Sequence, residues 1–234
     1  MMTRRRFYAP PENFDRQSVA LDAEEARHLR DALRLRAGDE AFVFDGAGRE
    51  FRCVVAEKAT LNLLEEVAPA QPESPLALTL GAALLKGEKF DLVVQKATEL
   101  GVARVMPLVT QRADVRDGAR RVERWRRVAL AAAKQAGRAV VPEIAECANF
   151  ADVLAQRWPA RVMFAERGGA ALPLTQATAA CALVGPEGGW ADEEIAAARD
   201  EGWQIVTLGG RILRAETAAL VAVTLLQHHL GDLR

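Results

Sequence analysis

Two stretches near the C-terminus, LVGPEGGW at Leu183 to Trp190 and LGGRILRAETA at Leu208 to Ala218, follow one plan: an apolar run, a glycine turn, then a helix start. A repeated strand, turn and helix restricts the fold to layers in which strands run out into exposed loops. Gly185, Pro186, Gly188 and Gly189 make a rigid turn whose uncovered amides a ligand can approach closely. Paired glycines also punctuate ordinary turns, so PEGG by itself carries little. RILRAET at this distance, again after an apolar run, makes a ligand site of backbone loops the stronger reading.

The chain has 234 residues, 50% of them hydrophobic, enough for one large core or two unequal ones. Asp22 followed by Glu25 reads as a capping box, and Ala26, Leu29 and Leu33 as the inner side of a short helix ending near Gly38. AFVF, the turn DGAG and FRCVV give a hairpin over Ala41 to Val55, and Thr60 to Val67 adds a strand. A small barrel or curled sheet is expected there. Ala68 to Pro75, with three prolines in eight residues and no periodicity, is the expected linker.

Beyond it the rhythm becomes strand, helix, strand. Leu76 to Leu80 is apolar, and Phe90, Val93, Val94, Ala97 and Leu100 have helical spacing before Gly101. Arg104 to Leu108, Arg161 to Ala165, Ala180 to Val184 and Ile205 to Leu208 are further strands. A helix over Arg120 to Ala136 is expected to bury Trp125, Val128, Ala129 and Ala132. The alternation predicts an α/β domain with a mostly parallel sheet.

No apolar run reaches about 20 residues and no leader pattern opens the chain, so a cytoplasmic protein is expected. Cys53, Cys147 and Cys181 are isolated and read as buried thiols. With His28, His228 and His229 they form no metal-ligand spacing, and no metal is expected. Net charge is -1, but nine basic residues fall between Arg112 and Arg138 against Asp114, Asp117 and Glu123. That surplus fits either a phosphate-tracking surface or a solvated helix face.

A Rossmann-type methyltransferase is the rival for the α/β layer, but its early glycine fingerprint is missing: LTLGAALLKG lacks the G-x-G-x-x-G order. The C-terminal loops instead resemble those of the SPOUT RNA methyltransferases, within them the 16S ribosomal RNA uridine N3-methyltransferase family. KGEKFDLVVQKATELGV at Lys86 to Val102 and AAAKQAGR at Ala131 to Arg138 resemble further blocks of that family, as do RRFY at Arg5 to Tyr8 and HLRDALRLRAGD at His28 to Asp39. The resemblance spans almost the whole chain. It implies a PUA-like or OB-like RNA-binding domain over residues 1–70 and a trefoil-knot methyltransferase domain over 76–234. It also implies S-adenosyl-L-methionine as cofactor, a homodimer, and N3 of one uridine of 16S rRNA in the small ribosomal subunit as acceptor.

The same resemblance places Leu183, Val184, Gly185, Glu187, Gly188 and Gly189 on one side of the cofactor and Leu208, Gly209, Arg211, Ile212, Leu213 and Arg214 on the other. Phe164 to Arg167, including Glu166, forms the remaining loop. Thr217 has two readings, a helix cap and a ligand contact. Methylation at N3 requires loss of the imide proton and stabilisation of the resulting anion; Arg6, Arg138 and Arg214 are the expected cations, and Glu187 the carboxylate nearest to a base role. Arg4, Arg5, Arg6 and Phe7 read either as an RNA-reading end or as a basic end with Phe7 in the core. Leu220, Val221, Thr224, Leu225 and Leu226 make the apolar side of the last helix, suited to pairing of subunits or to burial within one. Two other classes compete: a noncatalytic RNA-binding or ribosome-assembly factor, and a nucleotide-dependent enzyme holding phosphates in the glycine loops.

Overall fold

The computed structural model describes residues 4–115, 118–172 and 176–233. The chain divides into two compact units, Met1–Glu73 with Ala133–Val141, and Ser74–Ala132 with Pro142–Arg234. The first contains β1 (Arg6–Tyr8), β2 (Ser18–Ala20), α1 (Ala23–Arg27), β3 (Glu40–Phe44), β4 (Glu50–Val55) and β5 (Thr60–Val67). Among the described residues these strands form a curled five-stranded sheet in the order β1-β3-β4-β5-β2, with β1 parallel to β3 and the rest antiparallel. Alternate residues face inward, so Phe7, Ala41, Val43, Cys53, Val55 and Leu61 fill the core. The hairpin turn is locked by Asp45, whose carboxylate accepts the amides of Ala47 (2.8 Å) and Arg49 (3.0 Å).

Asp22 caps α1 by accepting the Glu25 amide at 2.8 Å, but Glu25 does not close the box and pairs instead with Lys134. After Arg27 the helix widens into a π-turn over His28–Ala32. The wider turn shifts the phase of the residues after it, so Leu33 is exposed and Leu35 fills the inner position expected for it. Phe7 is fully buried and meets His28 edge-on at 6.0 Å, which makes it a core residue and removes it as a base-stacking platform.

Arg6 and Arg138 hold this unit together. Glu50 is completely buried and receives Arg6 at 3.0 Å, Arg4 at 3.0 Å and the Ala70 amide at 3.1 Å. Arg6 also donates to the carbonyls of Lys134 (3.2 Å) and Arg138 (2.9 Å) and lies over the Phe44 ring. Arg138, itself buried, reaches Glu73 at 2.6 Å. The Gln71 amide donates to Gly137 at 3.2 Å and the Val141 amide to Gly46 at 2.9 Å. The proline-rich segment is therefore fastened, and residues 133–141, which sequence pattern assigns to the second domain, pack with the first sheet.

The second unit is built from β6 (Ala77–Ala83), α2 (Lys89–Glu99), β7 (Arg104–Val109), α3 (Val122–Ala136), β8 (Glu143–Ile144), β9 (Ala148–Asn149), α4 (Phe150–Leu154), β10 (Ala160–Phe164), β11 (Ala179–Val184), α5 (Asp192–Asp200), β12 (Gln204–Val206) and α6 (Ala215–Leu230), with the last turn of α3 counting with the first unit. Among the described residues its seven strands form a parallel sheet, β12-β10-β11-β6-β7-β8, with β9 farther along β7. Trp125 is buried on α3, stacks on Phe90 at 4.4 Å and donates its indole N–H to Asp91 at 2.9 Å. Val128 is only half-buried, and Val122 and Ala133 complete the inner stripe.

Part of the basic charge of this region is neutralised. Arg124 pairs with Glu88 and Asp91, Arg126 with Glu123 and Glu146, and Arg121 donates to the Gly87 carbonyl at 3.0 Å. Arg120 and Arg127 are exposed with no ion pair among the described residues, outside which Arg116 and Asp117 lie. On α6 the buried stripe is Ala215, Ala219, Ala222, Val223, Leu226 and Gln227. Of the expected apolar side only Leu226 belongs to it; Leu220, Val221 and Leu225 are half-exposed and Thr224 is exposed. Gln227 explains the rotation: it accepts from Ser74 at 2.7 Å and donates to the Gly101 carbonyl at 3.0 Å, which turns its own face inward.

Glu50→Ala leaves the buried Arg6 guanidinium without its carboxylate, and the first unit is expected to lose about 3–5 kcal/mol. Urea unfolding followed by far-UV dichroism measures this loss. All four tryptophans lie in the second unit, so their emission serves as an internal control. A variant with wild-type stability would remove Glu50 from the centre of this unit.

Candidate active site

Because β10, β11 and β12 are parallel neighbours, their carboxyl ends finish on one edge of the sheet, where open α/β sheets place ligands. The loops that leave these ends enclose a cavity of about 660 Å³. Phe164, Ala165 and Glu166 come from the first loop, Val184 to Trp190 from the second, and Thr207, Leu208 and Gly210 to Ala215 from the third, with Ala218 and Lys89 completing the wall.

The second loop is a tight turn. The Gly189 amide donates to the Pro186 carbonyl at 2.9 Å, and Gly189 adopts φ +68°, a conformation open to glycine and strained for other residues. A Cβ there would also stand 2.7 Å from Glu166 Oε1. Gly185 lies under the Trp190 indole, whose carbons and nitrogen come within 3.0 to 3.2 Å of where a Cβ would be. Trp190 is buried, packs on Phe150, and donates its indole N–H to the Phe164 carbonyl at 2.8 Å, tying the first loop to the second. Arg167 reinforces the tie through the Trp190 carbonyl (3.0 Å) and Asp192. In the third loop Gly210 has φ +87°, and neither it nor Gly209 has an atom within 4 Å of a built Cβ. Arg214 occupies the N-cap of α6 without a side-chain cap, so the first amides of that helix have no side-chain acceptor from it.

Most of the expected cofactor residues come together here: Phe164, Glu166, Val184, Gly185, Glu187, Gly188, Gly189, Leu208, Arg211, Ile212 and Leu213 all line the cavity, as does Arg214. Three do not. Leu183 points into the core against Gly81, because strand alternation turns Val184 to the other face. Gly209 yields its place on the wall to Gly210, and Thr217 is exposed on α6 outside the lining. Arg6 and Arg138 belong to the first unit, where their guanidinium groups are engaged by Glu50 and Glu73.

Lys89 is a cavity-wall side chain to which residue-level reading assigns no task, although it stands inside the KGEK block. Its ammonium lies 2.9 Å from Glu187 Oε1. Partial burial raises the Glu187 carboxyl, but hydrogen bonds from Lys89 and from the amides of Glu187 and Lys86 outweigh it and bring its pKa below the ordinary glutamate value. Glu187 is thus an ionised partner of Lys89 and a weaker proton acceptor than an ordinary carboxylate. No cysteine lines the cavity: burial pushes the Cys53 thiol up to about 12 and raises Cys181 as well, while Cys147, expected to be buried, is only half-buried. Among the described residues no cluster of His, Cys, Asp or Glu is placed to hold a metal, and no helix is long and apolar enough to cross a membrane.

Residues 72–227 match the model of the RNA methyltransferase domain and residues 21–63 that of the RNA methyltransferase PUA domain, so the curled sheet is followed by an α/β catalytic domain. Ribosomal RNA small subunit methyltransferase E of Synechocystis is 36% identical over 93% of this chain and 75% of its own length, and that of Mycobacterium tuberculosis is 34% identical over 88% and 84%. Two solved structures cover 99% of this chain and 100% of their own, each with a TM-score of 0.88. One is ribosomal RNA small subunit methyltransferase E of Neisseria gonorrhoeae bound to S-adenosyl methionine, 33% identical; the other is a putative methyltransferase of Legionella pneumophila with the bound cofactor SAM, 30% identical. The chain belongs to the ribosomal RNA small subunit methyltransferase E family.

Replacing Lys89 with Met removes an ammonium and a hydrogen bond from Glu187, so the Glu187 titration midpoint, followed by carboxyl carbon NMR, is expected to rise. An unchanged midpoint would assign its depression to the backbone amides alone.

Proposed function

We propose that this protein is an S-adenosylmethionine-dependent methyltransferase acting on N3 of one uridine of 16S rRNA. The observation that carries the reading is the glycine-walled cavity at the carboxyl ends of three parallel strands, in a chain whose relatives are small-subunit rRNA methyltransferases and whose structural neighbours hold this cofactor. Its residues suit the group: Gly185, Gly188, Gly189 and Gly210 admit close backbone approach, and Leu208, Ile212 and Leu213 offer apolar surface to a base. The uncapped α6 amides offer donors to a carboxylate. When bound, S-adenosylmethionine supplies a methyl group already activated on a sulfonium.

The protein's work is then orientation and charge. Uracil N3 becomes a nucleophile when its proton leaves and negative charge spreads over the flanking carbonyl oxygens. Arg214, Arg211 and Lys89, which all line the cavity, are the cations available to stabilise that charge. Glu187 holds Lys89, and its lowered pKa leaves proton removal to solvent. With Arg6 and Arg138 engaged in their own unit, Arg214 carries the charge-stabilising role.

The same proposal extends to the architecture around the site. Residues 76–234 form a trefoil-knotted methyltransferase domain and residues 1–70 a PUA-like RNA reader, working in the cytoplasm on the small ribosomal subunit. The half-exposed Leu220, Val221 and Leu225 of α6 support a homodimer paired through that helix.

Incubation of purified small subunits with labelled S-adenosylmethionine is expected to yield 3-methyluridine in 16S rRNA, mapped by nucleoside analysis. Arg214→Ala is expected to lower turnover at least about tenfold while sparing S-adenosylhomocysteine affinity. Ribose methylation, or another base product, would overturn the N3 assignment.

Gly189→Ala imposes a left-handed conformation on a residue with a Cβ, at a cost of about 1–2 kcal/mol, and drives it against Glu166. Calorimetry with S-adenosylhomocysteine is expected to show affinity falling about tenfold in the folded variant. Wild-type affinity would detach this turn from cofactor binding.

A further inference from the structure

Glu194, in the first turn of α5, does not line the cavity, yet it is 4% exposed and both of its carboxylate oxygens are used. Oε1 accepts the Gln111 amide at 2.9 Å and Oε2 accepts the Ala191 amide at 2.9 Å. The two amides belong to different segments. Ala191 directly follows Trp190 and closes the loop that leaves β11, whereas Gln111 lies just beyond β7 and leads into Arg112. Arg112 packs against the cavity wall: its carbonyl oxygen and Cβ would each stand 3.2 Å from a Cβ on Gly188, and its Nη1 comes within 3.5 Å of the Gly188 carbonyl.

Glu194 therefore fixes the glycine turn from two directions. Through Ala191 it anchors the end of the turn beside the buried indole, and through Gln111 it sets the backbone against which Gly188 rests. Among the described residues no cation pairs with it; its hydrogen-bond partners are backbone amides. A carboxylate suits this place because both facing groups are donors and both of its oxygens accept.

We infer that Glu194 is a positioning residue for the cofactor, acting through Gly188 and Gly189 without touching it. The inference rests on the reading of the cavity as an S-adenosylmethionine site. Glu194→Gln keeps size and shape but turns one acceptor into an amino group, so one of the two amides loses its partner in either orientation.

In the full-length protein, calorimetry with S-adenosylhomocysteine is expected to show at least about tenfold weaker binding for Glu194→Gln, a factor equivalent to one lost buried hydrogen bond. Hydrogen exchange should accelerate over residues 185–191. Arg112→Ala, which leaves Glu194 in place, is expected to weaken binding too, and the double variant to fall short of the product of the single effects because both act on Gly188. Wild-type affinity in folded Glu194→Gln, or independent effects in the double variant, overturns the positioning role. Should Glu194→Gln fail to fold, Glu194→Asp, which keeps both acceptors but draws them back by one methylene from the two amides, replaces it, and wild-type affinity there overturns the role instead. If the unaltered protein itself does not bind S-adenosylhomocysteine, the cofactor reading fails first, and this inference with it.

Discussion

The parallel direction of the seven-stranded sheet is the constraint on which the site depends. Parallel strands cannot be joined by tight turns, so each must be followed by a crossover, and every carboxyl end opens onto the same edge. β10, β11 and β12 place three loops there, and their glycines keep the space between them open. The Trp190 indole joins two of these loops into one wall by reaching from the second to the carbonyl at the end of β10. Glu194 and Arg167 act behind that wall, where backbone donors and carbonyls would otherwise be free to move. The cavity is thus defined by hydrogen bonds among its own loops.

The first unit rests on a different principle. Its sheet is small, and two carboxylates, the buried Glu50 and the half-buried Glu73, gather arginines and amides from separate parts of the chain. Removing water from such groups is costly, and the arrangement holds because each charge has a partner and the remaining donors reach carbonyls. Arg6 and Arg138 illustrate how little residue type alone decides. An arginine suited to an anionic transition state is equally suited to a buried carboxylate, and only the partner decides between them.

Charge along α3 obeys the same logic. The arginine-rich sequence promises a phosphate surface, yet Glu88 and Asp91 meet Arg124, and Glu123 and Glu146 meet Arg126. What remains exposed without an ion pair among the described residues is Arg112, Arg120 and Arg127, a narrower basic surface than composition implies. On α6, one polar residue sets the face. Gln227 satisfies Ser74 and Gly101 inside the unit, leaving Leu220, Val221 and Leu225 half in solvent.

The sequence by itself determined the alternation of the main strands and helices, the glycine turns and the nearly complete set of cavity loops, since periodicity and backbone freedom act over a few neighbouring residues. It also carried, through its blocks, the family to which the chain belongs. Tertiary structure decided that Leu183 turns away from the cavity while Val184 faces it, that Gly210 takes the place of Gly209 on the wall, that residues 133–141 pack with the first sheet, and that Phe7 is core. It brought Lys89 to Glu187 and Glu194 to Gln111 across 98 and 83 residues of chain. Local patterns cannot encode such meetings, because burial and pairing depend on which distant side chain arrives at the same place once the sheet has formed.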